Sequence, residues 1–386
     1  MTTKRHKEPP KKVFIVAGET SGEQYGALLA RELREASPGI QIQGIGGEAM
    51  QGEDIQLIAH VKDLAVVGLT EVLAKYSKLK KVFDDTVRFI EETKPDVVVL
   101  IDYPGFNLRL AKRIKPMGIP IVYYISPQIW AWHRSRVHEL GRLCTKILVV
   151  FDFEVDLYAD EGYTAIHVGH PLLDRLENHQ VKNLREEFNV PKDTLVLGLL
   201  PGSRRQEIER LLPIYLGACS LLASNNVKIA PFMAAAPLVD LNTVRDLLGN
   251  FDVPVEVLQG RAYDVMASSD LVYVASGTAT LETAVFGTPM IITYKTGAIT
   301  YLVGKSVLNV DWIGLPNIIA NAEIVPELLQ ENCKPEYIAT LTANLISNAE
   351  AIAEIRENLS KVKESLGGVG ASKRAAAEVL SAVRPA

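Results

Sequence analysis

Short apolar runs alternate with amphipathic stretches along most of this chain. KVFIVA (12–17), IQIQGIG (40–46), DVVVLI (96–101), PIVYYIS (120–126), KILVVF (146–151) and AIHVG (165–169) read as strands. Helical spacing lies between them, over about 22–36, 64–92 and 132–142. In the first helix Tyr25, Leu28, Leu29, Leu33 and Ala36 form a core-facing stripe. Strands rich in Val and Ile without alternation belong to a parallel sheet covered on both faces. The segment 170–191 is polar and interrupts the pattern as an interdomain linker. The alternation then restarts with strands LVLGLL (195–200), VKIAPFMA (227–234), VPVEVL (253–258), 271–275 and PMIITYK (289–295). Helices are expected near 204–224, 241–249 and 261–268, and a nearly all-helical tail over about 335–384, broken at Gly367, Gly368 and Gly370. The expected class is α/β, with two Rossmann-like doubly wound parallel-sheet domains facing a cleft. Ligands of such sheets bind beyond the carboxyl ends of the strands.

Composition narrows the class. The chain has 386 residues, enough for two sizeable cores, with 48% hydrophobic and 23% charged residues. Its net charge of −5 arises wholly after residue 175, so neither half carries the basic excess of a nucleic-acid binder. An anionic ligand must therefore be held by local backbone and individual arginines. Cys144, Cys219 and Cys333 have no C-x-x-C spacing, which points to a reducing compartment, with cytoplasm the expected location. The first twelve residues are polar and basic, unlike a signal peptide, and no apolar run reaches membrane-span length. The seven histidines show no H-E-x-x-H or Asp-rich spacing, so neither a metal nor a cofactor is expected.

Four segments carry candidate chemistry. Residues 271–290 set a buried strand, the small residues Ser276, Gly277 and Thr278, and a helix start end to end. Unpaired N–H groups at such a start suit a diphosphate, with Glu282 placed for a ribose or sugar hydroxyl. An ordinary strand-to-helix connection has the same pattern. LGLLPGSRRQEIERLL (197–212) repeats the theme, with Ser203 as a candidate N-cap and Arg204 at the helix start. An arginine there opposes the helix dipole unless a phosphate joins both, or unless it points to water. AGETSGE (17–23) follows the first strand: Gly18 and Gly22 permit close backbone approach, and Thr20 and Ser21 can cap. It is neither a Walker A nor a G-x-G-x-x-G motif; GIGGEA (44–49) fits G-x-G-x-x-A but follows the second strand, so a nicotinamide site is discounted. Asp102 ends a strand beside Tyr103 and Phe106, where an apolar setting would raise its pKa toward that of a base, unless it only caps the next helix. Glu19 is the rival carboxylate.

Two further stretches could meet lipid. SPQIWAWHRSRV (126–137) places Trp130 and Trp132 beside Arg134 and Arg136, which suits a headgroup or merely plugs a domain edge. Residues 64–87 combine apolar side chains with Lys75, Lys78, Lys80 and Lys81, either for an anionic bilayer or as a solvated face.

VAGETSGEQYGA (16–27), DLAVVGLTEVL (63–73), KPDVVVLIDYPGFN (94–107), YYISPQIWAWHRSRV (123–137), LLPGSRRQEI (199–208), ASGTATLE (275–282) and LPNIIA (315–320), in this order, resemble the lipid-A-disaccharide synthases, glycosyltransferase family 19. The resemblance runs from about residue 12 to the end. It implies a GT-B fold with C-terminal helices crossing back to the first domain, giving domains of 1–172 plus about 345–386 and of 191–344, joined by 173–190. It also implies metal-independent inverting transfer from UDP-2,3-diacylglucosamine to 2,3-diacylglucosamine 1-phosphate, forming a β(1→6) bond and releasing UDP. By position, Asp102 and Arg204 match the essential residues; Ser203, Arg204, Ser276, Gly277, Thr278, Glu282 and Asn317 match the UDP site. Gly18, Glu19, Ser21, Gly22, Trp132 and Arg136 fall in the acceptor loops. Gly105 and His133 depart from the pattern, standing where relatives carry an acid and an arginine. Acylated substrates imply peripheral contact with the inner membrane, and a homo-oligomer is compatible with the sequence. A UDP-N-acetylglucosamine 2-epimerase, another UDP-sugar transferase and a UDP-sugar binding module are the competing readings.

Overall fold

A computed structural model of the chain describes residues 11–64, 69–130, 135–177, 179–237, 239–296 and 311–383. The chain divides into two compact units, Met1–Asn178 with Leu366–Ala386, and His179–Ser365. In the first, β1 (Lys12–Ala17), β2 (Gln41–Gly46), β3 (Gln56–His60), β4 (Val97–Ile101), β5 (Ile121–Tyr124), β6 (Lys146–Val149) and β7 (Ile166–His167) form a parallel sheet ordered β3-β2-β1-β4-β5-β6-β7. Successive residues feed opposite cores, as the period-2 geometry of a strand dictates. Val13, Ile15, Val97 and Val99 pack with Leu29 and Leu33 of the helix Thr20–Ala36, and with Ala375 and Val379 of the helix Ala371–Ala382. Phe14, Val16, Val98 and Leu100 pack instead with Leu110 and Ile114 of the helix Pro104–Ile114, and with Leu140 of the helix Arg136–Leu143. Each such Val, Ile, Leu or Phe side chain stabilises the unit by about 1.5–3 kcal/mol. Of the expected first-helix stripe, Tyr25, Leu29 and Leu33 are buried, whereas Ala36 is exposed at the helix end.

The last helix is fastened by polar contacts as well. The Asp174 carboxylate accepts from the N–H groups of Gly370 (2.6 Å), Ala371 (3.2 Å) and Ser372 (2.6 Å), the open donors of that helix start. Arg374 donates to the carbonyls of Val168 (2.8 Å), Val369 (2.9 Å) and Gly367 (3.1 Å).

The second unit holds β8 (Leu195–Leu200), β9 (Ile229–Ala235), β10 (Glu256–Gln259), β11 (Leu271–Ala275), β12 (Met290–Tyr294) and β13 (Glu327–Leu329), parallel and ordered β10-β9-β8-β11-β12-β13. Its core joins Leu197, Leu199 and Tyr273 to the helices Arg205–Ser224 and Pro335–Ile346. The helix Ala349–Ser365 packs on the second unit's own helices Thr278–Val285 and Leu315–Ala320. The stretch that completes the first unit therefore begins at Leu366, not at about 345, and it contributes one helix. The expected linker is also structured: the helix Leu172–Glu177 belongs to the first unit and Leu184–Glu187, with Leu184 fully buried, to the second.

Candidate functional site

In each sheet the strand order reverses once, between β1 and β4 in the first unit and between β8 and β11 in the second. The loops leaving such a pair diverge to opposite faces and open a crevice at the carboxyl edge. Gly18 and Glu19 follow β1, and Asp102 follows β4; Pro201 to Arg204 follow β8, and Ser276 to Thr278 follow β11. The four segments singled out by sequence thus stand at the two reversal points.

In the first unit Gly18 is buried because the Tyr103 ring lies across it: a Cβ at this position would sit 2.1 Å from Tyr103 Cδ1. Tyr103 also donates from its hydroxyl to the Leu64 carbonyl at 3.1 Å. Gly22 has only ordinary contacts around a built Cβ, the nearest at 3.6 Å, so close approach is not what it supplies. Exposed Glu19 occupies the N-cap of the helix Thr20–Ala36 without a side-chain cap bond. Ser21 is consequently inside the first turn and does not cap, because the helix starts at Thr20, two residues before the start a cap at Ser21 would set.

Half-buried Asp102 does not cap either; the N-cap of the helix Pro104–Ile114 is Tyr103, which makes no side-chain cap bond. Burial, followed by the Glu19 carboxylate nearby, raises the Asp102 carboxyl from 3.8 to about 7, with the Tyr103 N–H pulling the other way. A group with that value is half ionised near neutral pH and able to accept a proton. Its backbone is unusual: Asp102 and Tyr103 lie at φ 44° and 45°, and Ile125, beyond β5, at 63°. Left-handed backbone at non-glycine residues costs about 1–3 kcal/mol each and collects at functional sites. The Asp102 N–H donates to the Tyr124 carbonyl at 3.1 Å. Its carbonyl accepts from Tyr123 Oη at 2.6 Å and Asn107 Nδ2 at 2.8 Å.

Glu154, which the sequence reading missed, is fully buried at the same edge, one loop beyond β6. It accepts from the N–H groups of Val150 (3.3 Å) and Phe151 (3.2 Å), and burial raises its carboxyl to about 8. A polar residue inside the weakly apolar stretch FDFEVDLY was its one signal. Arg136 opens the helix Arg136–Leu143 and is half-buried, whereas Trp132, His133 and Arg134 lie outside the described residues. Gly105 is exposed, with open space around a built Cβ. In the 64–87 stretch Lys78 pairs with Asp63 at 2.7 Å, and Lys80 and Lys81 are exposed; the side chains of residues 65–76, Lys75 included, lie outside the described residues. Among the described residues no helix is long and apolar enough to cross a membrane.

In the second unit Gly277 caps the helix Thr278–Val285 at φ 151°, a conformation that favours glycine, and offers no side-chain cap. The helix start and exposed Thr278 are thereby left open. The Ser276 hydroxyl donates to the Ile313 carbonyl at 3.0 Å, and Glu282 Oε1 accepts from the Tyr263 hydroxyl at 3.0 Å. At the other loop the N-cap is Arg204, not Ser203, and Glu207 in the first turn reaches back to the main chain ahead of the helix. Glu207 Oε2 accepts from the N–H groups of Ser203 (3.1 Å) and Arg204 (3.2 Å), while its Oε1 holds Arg204 Nη1 at 3.0 Å. The dipole conflict posed by an arginine at a helix start is thus met by a neighbouring carboxylate, and the exposed guanidinium is paired with it.

Asn317 is fully buried and spends its amide internally. Nδ2 donates to Val325 O and Glu327 Oε1, both at 2.8 Å, and Oδ1 accepts from the N–H groups of Ile324 (2.9 Å) and Val325 (3.0 Å). Glu327 in turn accepts from Ile313 N (3.0 Å) and Gly314 N (2.9 Å). The pair fixes the loop whose Ile313 carbonyl meets Ser276, so Asn317 acts on that turn by position rather than by direct contact. Among the described residues no group of three or more His, Cys, Asp or Glu is arranged to hold a metal.

Comparisons with known proteins bear on the family and the fold. The sequence model of the family described as "Lipid-A-disaccharide synthetase" matches residues 13–381. Lipid-A-disaccharide synthase of Syntrophus aciditrophicus is 40% identical over 379 residues, covering 97% of this chain and 98% of its own. That of Nitrosococcus oceani is 40% identical over 361 residues, 92% of each chain. Among solved structures, UDP-GlcNAc 2-epimerase from Neisseria meningitidis bound to UDP-GlcNAc is similar with a TM-score of 0.65 at 15% identity, over 96% of this chain and 100% of that one. A glycosyltransferase from Rickettsia africae reaches 0.56 at 14% identity, over 97% and 99%. At such identities the structural likeness bears on the fold alone.

Proposed function

Because the chain belongs to the lipid-A-disaccharide synthase family, we propose that it joins UDP-2,3-diacylglucosamine to 2,3-diacylglucosamine 1-phosphate through a β(1→6) bond. The observation that carries the chemistry is the Asp102 carboxyl, held near neutrality at the reversal point of the first sheet. Asp102 takes the proton of the acceptor 6-hydroxyl as that oxygen bonds to the anomeric carbon. The bond from that carbon to the diphosphate oxygen breaks with inversion, and UDP leaves with the electron pair. General-base assistance of this kind contributes about 10²–10⁴ in rate.

The second unit handles the leaving group. The helix start at Gly277 and Thr278 and the Ser276 turn stabilise the diphosphate as its charge grows, and Glu282 takes a ribose hydroxyl. Arg204 exchanges Glu207 for the diphosphate, the more highly charged partner, and Ser203 adds a donor beside it. Asn317 holds the supporting loop. The acceptor is received by the loops carrying Gly18, Glu19, Ser21, Gly22, Trp132 and Arg136, and the lysine-bearing 64–87 stretch lies on the bilayer that supplies both lipids. Support for this division comes from the family and from the Asp102, Arg204 and Ser276–Thr278 segments, which follow strands at the order reversals of their own sheets.

The test is disaccharide formation from the two lipid substrates by purified protein, followed by lipid chromatography with and without EDTA. Product in both cases is expected. Its absence with folded protein overturns the reading, and loss with EDTA alone overturns the metal-independent mechanism.

A further inference from the structure

The structure holds the backbone on both sides of the Asp102 Cα, and two buried side chains do most of the holding. The Asp102 N–H is fixed by the Tyr124 carbonyl at 3.1 Å; its own carbonyl is fixed twice, by Tyr123 Oη at 2.6 Å and Asn107 Nδ2 at 2.8 Å. With both flanking peptide planes fixed, the direction of the Cα–Cβ bond, and so of the carboxylate, is fixed too. The conformation held is one the chain would otherwise leave, since Asp102 and Tyr103 are both left-handed.

Asn107 shows what this arrangement costs. It is fully buried and gives both amide hydrogens to main-chain carbonyls, to Ile101 at 3.1 Å and Asp102, while its Oδ1 is buried with no hydrogen-bond partner. An orphaned buried acceptor is destabilising, so the amide is present for its donors. Tyr123 is likewise fully buried in β5 and reaches the Asp102 carbonyl with its terminal hydroxyl.

We propose that Tyr123 and Asn107 are positioning residues of the transfer reaction: they clamp the Asp102 carbonyl and thereby aim its carboxylate at the acceptor hydroxyl. This rests on the reading of Asp102 as the base. Released from the clamp, the Asp102–Tyr103 pair relaxes toward ordinary φ values and the carboxylate moves. Displacement of a reacting group by about 1 Å can cost about a hundredfold in rate.

Four variants are compared in the disaccharide assay with both substrates varied. Tyr123→Phe removes one hydroxyl and no packing, and Asn107→Ala removes the second donor. Tyr158→Phe is the control, deleting a buried hydroxyl of the same unit that pairs with Ser126 at 2.8 Å. Asp102→Asn tests the underlying reading. Tyr123→Phe and Asn107→Ala are each expected to lower kcat by about tenfold or more, with KM for the UDP donor within about twofold, since the clamp holds the main chain that aims the reacting carboxylate and does not bear on the nucleotide. Tyr158→Phe is expected to keep kcat. A wild-type kcat in Tyr123→Phe, or a loss no greater than in Tyr158→Phe, overturns the clamp while leaving Asp102 as the base. A wild-type kcat in Asp102→Asn overturns the base assignment itself.

Discussion

Replacing Asp102 by Asn should make the protein more stable and nearly inactive, with a pH dependence that identifies the cause. The Asp102 carboxyl is raised from 3.8 to about 7, so the folded state disfavours its charge. Roughly three units at ~1.4 kcal/mol each set an upper bound of ~4 kcal/mol on that penalty in alkaline solution. The sign follows from the raised value: the group's contribution to stability is full below about 3.8 and is lost as pH rises through about 7. Between about pH 5 and about pH 8 the full shift would make the advantage of Asn grow by roughly 2.5 kcal/mol. Solvent contact at the half-buried side chain screens part of this, leaving roughly 1–2 kcal/mol. Urea unfolding of both proteins at the two pH values reads the difference, and the disaccharide assay reads a fall in kcat of about 10²–10⁴. Equal stability differences at the two pH values would refute the reasoning about burial, and retained turnover would refute the role.

Three further substitutions test the first unit's loops and, separately, the second unit's. Glu19→Gln removes the second cause of the raised Asp102 value, so the acid limb of the wild-type pH–rate profile should move to lower pH while turnover persists; abolished turnover would instead make Glu19 the base. Gly18→Ala puts a methyl 2.1 Å from the Tyr103 ring and should cost about 1–3 kcal/mol in thermal unfolding together with a fall in kcat. Asn317→Ala leaves buried donors and acceptors open, so stability should fall by about 2–3 kcal/mol and the KM for the UDP donor should rise, as measured by donor titration.

Much of the architecture was legible because it rests on period and length. The apolar runs beginning at Val13, Val97, Leu195 and Leu271 are buried strands, and the restart after residue 190 announced a second sheet. What escaped lacked such a signal. QLIAH and ELL, which form β3 and β13, are edge strands of only five and three residues with polar residues among them, too short to show a period. The expected cap at Ser203 was one residue early: the helix starts after Arg204, where Glu207 in its first turn reaches back to the N–H groups of Ser203 and Arg204. Tyr123 was read as one more apolar strand position, and its hydroxyl acquires a task only when Asp102 arrives beside it from 21 residues earlier. The pairing of Asn317 with Glu327 is equally invisible in local pattern, since it depends on a loop returning to its own start. Motif order identified the family; the arrangements that hold the motif residues in place come from tertiary contacts.

The capping of the last helix by Asp174 bears on how the protein is made. The first unit contains residues from both ends of the chain, and one of its cores remains open until Ala375, Ala376 and Val379 arrive. The second unit is continuous in sequence, from His179 to Ser365, so it has its whole complement of residues while the first still lacks a helix. During synthesis the N-terminal half must therefore wait, with apolar surface exposed, for the final segment to emerge. A chain stopped some twenty residues early has every residue singled out as a candidate for chemistry, yet leaves one face of the sheet that carries Asp102 only partly covered, without Ala375, Ala376 and Val379.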